Sequence, residues 1–368
     1  MDTVAVLFGG PSAEHDVSIL TGLQAGRILA GTGRAVRHVY WSTDRRFFLV
    51  PDDLEAADFL QPEVRGAVEI AFEMSEGFVK RARFSSRPIE TAVVVNCCHG
   101  GPGEDGTLTA MLAVAGLRVT GPQGSACALA MDKVATAALA GSLGIPGIPT
   151  SLLTEGTPTV EYSTPWIIKP RYGGSSLGIE ANVVDLDTAK VLAQQGACRS
   201  GAIVQPYLEG WQDLNVAVRT HPTLEVSVIE RPLRPEGRIY GYADKYLGSG
   251  GAGMDGAPRE LPAVVPEHVS NHIRDAASTL ATAMALTGVP RIDFLWDPHT
   301  DNVLLCEVNA IPGALGLYLW EAQGQSRATV LNLLVEEAQL APVTPPHWDG
   351  RTDRAALRAA RAIASKLA

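Results

Sequence analysis

At 368 residues, with 46% hydrophobic residues, 37 Gly and 24 Pro, the chain carries more apolar material than one core usually serves, and two or three domains of a loop-rich α/β enzyme are expected. A formal charge of −10 argues against nucleic acid as a partner, for which a basic patch is needed. No run approaches the ~18 to 20 uninterrupted apolar residues of a membrane span, so no membrane partner is expected either.

In chain order, residues 4–8 form a short apolar strand that runs into Gly9-Gly10-Pro11-Ser12, and a helical pattern follows over 16–30. The strand begins without the basic and apolar regions of a signal peptide, so a cytosolic protein is expected. A strand, a tight glycine turn and a helix N-terminus make a ligand-facing crevice. The pair Gly9-Gly10 lacks the spaced third glycine of a dinucleotide fingerprint. Residues 41–88 have a weaker pattern and read as strands and loops at the rim of this domain. A second strand, 91–96, ends in Cys97-Cys98-His99-Gly100-Gly101-Pro102-Gly103-Glu104-Asp105-Gly106-Thr107, and a helix over 108–115 repeats the same architecture. Five cysteines, only Cys97 and Cys98 adjacent, supply neither a disulfide framework nor a zinc spacing.

Helical segments over 125–141 carry Met131-Asp132-Lys133. Strand-turn-strand signals over 166–180 include Ile167-Ile168-Lys169-Pro170, where a lysine ends an apolar strand, followed by Gly173-Gly174-Ser175-Ser176. The backbone donors of such a loop can close over phosphates, although the spacing is not the Walker pattern; an ordinary glycine hairpin is the alternative. The third region runs over 202–340. Within it, Tyr242-Ala243-Asp244-Lys245-Tyr246 precedes a glycine-rich run to residue 258 that reads as a mobile loop able to cover a substrate and exclude water. Prolines over 342–346 break the pattern, and 352–367 reads as a surface helix.

The densest chemistry lies in Val303-Leu304-Leu305-Cys306-Glu307-Val308-Asn309-Ala310-Ile311-Pro312-Gly313. Alternate residues of a strand share a face, so Glu307 and Asn309 converge. Upstream, Arg291-Ile292-Asp293 reads as a partner strand with Arg291 and Asp293 again on one face. Two carboxylates and an amide oxygen suit magnesium, which also binds phosphate oxygens, better than zinc or a soft metal. A hairpin bearing solvated polar residues would give the same spacing.

Taken in order, Val6-Leu7-Phe8-Gly9-Gly10-Pro11-Ser12-Ala13-Glu14-His15-Asp16-Val17-Ser18, His99-Gly100 with Gly103-Glu104-Asp105-Gly106-Thr107, Met131-Asp132-Lys133, Lys169-Pro170 with Gly174-Ser175-Ser176, Lys245-Tyr246, Arg291-Ile292-Asp293, and Glu307-Val308-Asn309 with Pro312-Gly313 resemble the D-alanine:D-alanine ligase family over roughly residues 4–340. The resemblance implies an α/β ATP-grasp fold of three domains: a Rossmann-like N-terminal domain over 1–122, a central subdomain over 123–203, and a C-terminal subdomain with the metal site over 204–341, before a tail over 342–368. It implies ATP and two magnesium ions as cofactors, small amino-acid substrates joined through an acyl phosphate for peptidoglycan synthesis, and a homodimer. By motif, Lys133 and Lys169 would contact the ATP phosphates and Lys245 the transferred phosphate. Asp293, Glu307 and Asn309 would hold the metal. Arg291 and the Gly313 N–H would stabilise the tetrahedral oxyanion, Glu14 would hold the first substrate's ammonium, Ser175 and Tyr246 would link to Glu14 across the closed lid, and His99 would line the substrate pocket. The stretch Ile203-Val204-Gln205-Pro206-Tyr207-Leu208 resembles the family's adenine-reading strand, with Gln205 where the family carries an acid. Asp213 is the candidate for the ribose hydroxyls.

One segment departs from the family. After Pro312-Gly313 the family carries a small hydroxyl residue that receives the second substrate's carboxylate, and here that position falls on Tyr318. Tyr318 is therefore a candidate for altering the acceptor, with core packing as the alternative. Two further functions stay open at this stage: a dipeptide-forming ligase of natural-product biosynthesis with another acceptor, and a nucleotide-binding protein without turnover.

Overall fold

The computed structural model describes residues 2–82, 85–233, 258–342 and 353–360. Residues Val4–Gly9 (β1) are followed by helix His15–Gly31 (α1) and strand Val36–Trp41 (β2). Burial of β1 is complete, Val4 through Phe8 having no exposed surface, which is why it reads as an unbroken apolar run and sits inside a parallel arrangement. Four antiparallel strands, Phe47–Val50 (β3), Val68–Glu73 (β4), Gly77–Ala82 (β5) and Ser85–Pro88 (β6), widen this sheet on the β2 side. Strand Val93–Asn96 (β7) closes it beyond β1, in the order β6-β5-β4-β3-β2-β1-β7. The outer strands gave a weak signal because solvent reaches them; every residue of β6 is exposed. Helices Gly101–Glu104 (α2) and Thr107–Val114 (α3) follow β7.

The helical segments expected over 125–141 are two helices, Gly124–Met131 (α4) and Lys133–Ser142 (α5), which break within Met131-Asp132-Lys133. Asp132 takes an extended backbone and accepts the N–H groups of Val134 and Ala135, so an N-cap interrupts an apolar stretch that alone reads as continuous. Strands Ser151–Leu153 (β8), Trp166–Pro170 (β9) and Glu180–Val183 (β10), helix Leu186–Ala193 (α6) and strand Ala202–Pro206 (β11) form a second sheet, β10-β9-β11-β8.

Next come strands Gln212–Arg219 (β12), Glu225–Val226 (β13), Arg231–Pro232 (β14) and Arg259–Glu260 (β15), helix Glu267–Ala283 (α7), strands Arg291–Trp296 (β16) and Val303–Asn309 (β17), and helices Leu317–Glu321 (α8), Arg327–Leu340 (α9) and Ala355–Ala360 (α10). A third sheet has the order β13-β12-β16-β17, and β14 pairs with β15. In the antiparallel β16–β17 ladder Arg291 faces Asn309 and Asp293 faces Glu307, while Phe294 faces Leu305, leaving Cys306 as an extra residue. This β-bulge turns Cys306 toward the same cleft as Glu307, which strict alternation forbids.

Candidate active site

A cleft enclosing about 1520 Å³ of space open to solvent lies where the ends of β1, β7 and β9 meet β11, β12, β16 and β17. It is lined by Glu14, His99, Lys133, Lys169, Ser175, Gln205, Leu208, Asp213, Arg291, Asp293, Glu307, Asn309 and Gly313. Of the residues expected from sequence, Tyr318 does not line it, and Lys245 and Tyr246 lie outside the described residues.

At the first end Glu14 precedes α1 and is buried. The Ser175 hydroxyl donates to Glu14 Oε1, joining the N-terminal sheet to the loop after β9. The turn that receives Glu14 is held by Ser12, whose hydroxyl donates to the His99 carbonyl at 2.7 Å and accepts the Glu14 N–H at 3.1 Å. Gly100 sits against the carboxylate with φ +63, and a Cβ there would lie 2.2 Å from Glu14 Oε2. Gly100→Ala therefore displaces Glu14 and strains the backbone. With Glu14 as the ammonium partner that the family resemblance implies, at least a tenfold loss in kcat/KM for the first amino acid is expected, measured by steady-state kinetics; an unchanged value would remove Glu14 from that role.

His99 is a neutral coupler. Its Nδ1 lies 2.8 Å from the Ile311 carbonyl and its Nε2 2.8 Å from the Thr21 hydroxyl, which also accepts the Ala314 N–H at 3.2 Å. Burial, reinforced by Arg291, lowers its pKa to about 4. The neutral ring therefore carries its proton on Nδ1, donates to Ile311 and accepts from Thr21. This chain ties the Pro312-Gly313 turn to the N-terminal sheet and leaves His99 unprotonated at neutral pH.

Glu104 was not anticipated. Its carboxyl accepts the N–H groups of Gly100 at 2.9 Å and Ile311 at 3.1 Å, yet burial first, and the nearby Glu14 charge second, push its pKa up to about 8. The folded protein thus holds a proton that the unfolded chain releases above the ordinary carboxylate range. Stability from this group is greatest below about pH 4.5 and declines as pH rises toward about 8. Glu104→Gln should flatten the fall of the denaturation midpoint across that window, and a slope equal to wild type would contradict the assignment.

On the opposite side Lys133 and Lys169 are buried. The Lys133 ammonium donates to the Gly173 carbonyl at 2.6 Å and lies 3.5 Å from Glu307 Oε2. Lys169, on β9, reaches to 4.0 Å from Cys306 Sγ. Burial raises the Cys306 pKa to about 11, so it faces the cleft as a neutral thiol. Gln205 donates to the Thr150 hydroxyl at 2.7 Å. Asp213 faces the cleft, whereas its neighbour Gln212 accepts from Arg231 at 2.9 Å, so the cleft-facing residue at the start of β12 is the acid.

Asp293, Glu307 and Asn309 are brought together by the β16–β17 register. Arg291 donates twice to Asp293, at 2.7 Å to each oxygen, and the Asn309 amide donates to Asp293 Oδ2 at 3.0 Å. Burial opposes the Arg291 charge, but Asp293, with Tyr318 and Glu230 behind it, carries its pKa well above the ordinary value. Among the described residues no three His, Cys, Asp or Glu side chains form a metal cluster; the set here is two carboxylates and an amide. The donors fit a hard cation. The whole cleft fits one as well, because the five carboxylates of Glu14, Asp213, Glu230, Asp293 and Glu307, with Glu104 holding its proton, outnumber the four cations Lys133, Lys169, Arg259 and Arg291. A polyphosphate enters such a cleft only with divalent cations to offset its charge.

Tyr318 is fully packed beside the cleft. Its hydroxyl donates to Glu230 Oε2 at 2.8 Å, and the Arg259 guanidinium lies 4.3 Å from its ring centroid. Glu230 and Arg259 face the cleft in its place. The expected aromatic wall is thus a buried support for an ion pair. Neither partner stood out in the sequence, because Glu230 and Arg259 come together only through the β14–β15 pair and its approach to β12.

Residues 3–122 match the family model described as D-ala D-ala ligase N-terminus, and residues 154–336 match D-ala D-ala ligase C-terminus. The chain is 27% identical over 321 residues to the D-alanine--D-alanine ligase of Sulfurovum sp. (strain NBC37-1), covering 86% of this chain and 89% of that protein. It is 28% identical over 364 residues to that of Chlorobium limicola, covering 92% and 98%. Among solved structures it resembles the D-alanine-D-alanine ligase from Helicobacter pylori, with a TM-score of 0.73 and 24% identity over 94% of this chain and 100% of that one. The VanG D-Ala:D-Ser ligase from Enterococcus faecalis gives a TM-score of 0.74 and 23% identity over 92% and 99%. At these identities the structural likeness is one of fold, and that fold is ATP-grasp.

Proposed function

The chain belongs to the D-alanine:D-alanine ligase family of ATP-dependent carboxylate-amine ligases, and from that premise we propose that its cleft joins two molecules of D-alanine. The observation that carries this reading is that one cleft is lined both by Lys133, Lys169, Asp293, Glu307 and Asn309, which suit phosphate and a hard cation, and by Glu14, Arg291 and Gly313, which suit an amino acid's ammonium and an oxyanion.

In the first step a carboxylate oxygen of the donor attacks the γ-phosphorus of ATP, the bond to the β-phosphate oxygen breaks, and ADP leaves. The acceptor's ammonium gives a proton to solvent, its amine attacks the acyl carbonyl carbon, the nitrogen gives up a second proton, and the C–O bond to the phosphate breaks, so that inorganic phosphate departs and the amide remains. Lys133 and Lys169 neutralise phosphate charge, and Lys245 is assigned the transferred group on sequence grounds. Asp293, Glu307 and Asn309 would hold magnesium, which when bound neutralises charge developing between the phosphates; the reading takes the count as two ions. Glu14 pairs with the donor ammonium, held in place by Ser175. Arg291 and the Gly313 N–H face the oxygen that becomes negative in the second step, a preorganised role worth about 3 to 4 kcal/mol per donor. Gln205 and Leu208 border the adenine, and Asp213 the ribose. His99, bonded on both ring nitrogens, shapes the pocket rather than moving protons.

The same reading takes the product to be a peptidoglycan precursor, the enzyme to be cytoplasmic where ATP is supplied, and the active form to be a homodimer. Light scattering of purified protein tests the last point, a monomer at working concentration opposing it. Among the described residues no helix is long and apolar enough to cross a membrane. The experiment for the function is mass spectrometry of products formed from D-alanine, ATP and magnesium. One observation favours a second acceptor specificity: Tyr318 stands where the family carries a small hydroxyl residue, and it supports Glu230 and Arg259 instead.

A further inference from the structure

We propose that Arg259 anchors the carboxylate of the second amino acid, with Glu230 and Tyr318 as the residues that position it. This rests on the ligase reading above. The donor's carboxylate becomes the amide carbonyl, but the acceptor's carboxylate stays ionised from binding to release. A charge lodged in a cleft that also holds Glu14 and Glu230 needs a dedicated cation.

The cleft's cations are already divided. Lys133 lies against Glu307 and Lys169 against Cys306, both at the phosphate end, and Arg291 is bound through two nitrogens to Asp293. Arg259 is the remaining cation lining the cleft among the described residues. Its side chain is only 12% exposed, with one terminal nitrogen 3.0 Å from Glu230 Oε1 and its guanidinium 4.3 Å over the Tyr318 ring. Glu230 is itself fixed from three sides: the Tyr318 hydroxyl at 2.8 Å, the Asn215 amide at 3.2 Å, and reciprocal backbone bonds to Asn215 at 2.9 Å each. A guanidinium held on one edge by a carboxylate and on one face by an aromatic ring has little freedom left. Its fork suits a carboxylate better than a hydroxyl does. The bulk of Tyr318 thereby becomes the means by which the subsite exchanges a small hydroxyl for a charge.

The test uses the full-length protein with ATP, magnesium and D-alanine as donor, and follows two acceptors that form products of different mass, D-alanine and D-alaninamide. Arg259→Met is expected to raise the KM for the second amino acid by about 30-fold or more, leaving KM for ATP and for the first amino acid within about twofold. It is also expected to erase most of the preference for D-alanine over the uncharged amide. Arg259→Lys should recover part of that preference. Tyr318→Phe keeps the ring and removes one buried hydrogen bond, and should raise the second KM severalfold, which tests the assignment even if Arg259→Met fails to fold. An unchanged second KM and an unchanged preference in Arg259→Met, or a parallel rise in all three KM values, would overturn the assignment while leaving the ligase reading intact. No dipeptide from the wild-type protein with either acceptor would overturn both.

Discussion

Asp293→Asn should lower dipeptide formation by more than about 100-fold, beyond the 10- to 100-fold typical of a residue that only orients a metal ligand. Asp293 has three duties in one side chain. It faces Glu307 across the β16–β17 ladder, accepts from the Asn309 amide, and takes both donors of Arg291. Removing its charge strips the proposed metal site of one of two carboxylates and leaves the buried Arg291 guanidinium opposite a neutral amide. A charge deprived of its buried partner costs about 3 to 5 kcal/mol, so the variant should also melt at a lower temperature. The two losses separate in Glu307→Gln. Glu307 is only 22% exposed and has Lys133 at 3.5 Å, but it does not carry Arg291, so its variant should lose magnesium-dependent turnover with a smaller fall in stability. Raising magnesium should restore part of the activity in each. Wild-type turnover in either variant would remove these residues from the metal site.

Glu14→Gln should reduce kcat/KM for the first amino acid by about 100- to 1000-fold, because the donor ammonium would then be buried without an opposing charge. The same substitution should hold or raise stability. Glu14 and Glu104 are neighbouring buried acids, and the Glu14 charge helps raise the Glu104 pKa, so neutralising Glu14 removes a buried charge from the empty cleft and lessens the cost of Glu104 ionising as pH rises. An opposite movement of activity and melting temperature distinguishes a functional carboxylate from a structural one. A fall in both, with no change in substrate dependence, would show that Glu14 serves only to hold the Ser175 loop.

Parts of this arrangement were legible because they are local. Arg291 with Asp293 and Glu307 with Asn309 obey the two-residue period of a strand, and all four do face one cleft. The Cys306 bulge was not legible, since it depends on the pairing of β17 with β16. The helix break at Asp132 was hidden by an apolar stretch, although an aspartate three residues before Ala135 is a cap signal that could have shown it. Glu104 lay within a quoted motif, but its burial against Glu14 requires the turn after β7 to fold onto the start of α1. Glu230 and Arg259 had no motif at all. They meet Tyr318 through contacts 59 to 88 residues apart along the chain (318 minus 259 and 318 minus 230), a kind of information that periodicity does not carry. Nor does the sequence show that Tyr318 stands behind Glu230 and Arg259 instead of on the cleft wall.

The central claim is tested most directly by incubating purified protein with ATP, magnesium and D-alanine and quantifying all products by mass spectrometry. The account predicts D-alanyl-D-alanine, ADP and phosphate in equal amounts, with none of the dipeptide when ATP is omitted. ADP and phosphate released without any dipeptide, from D-alanine alone or with a panel of other amino acids, would contradict it.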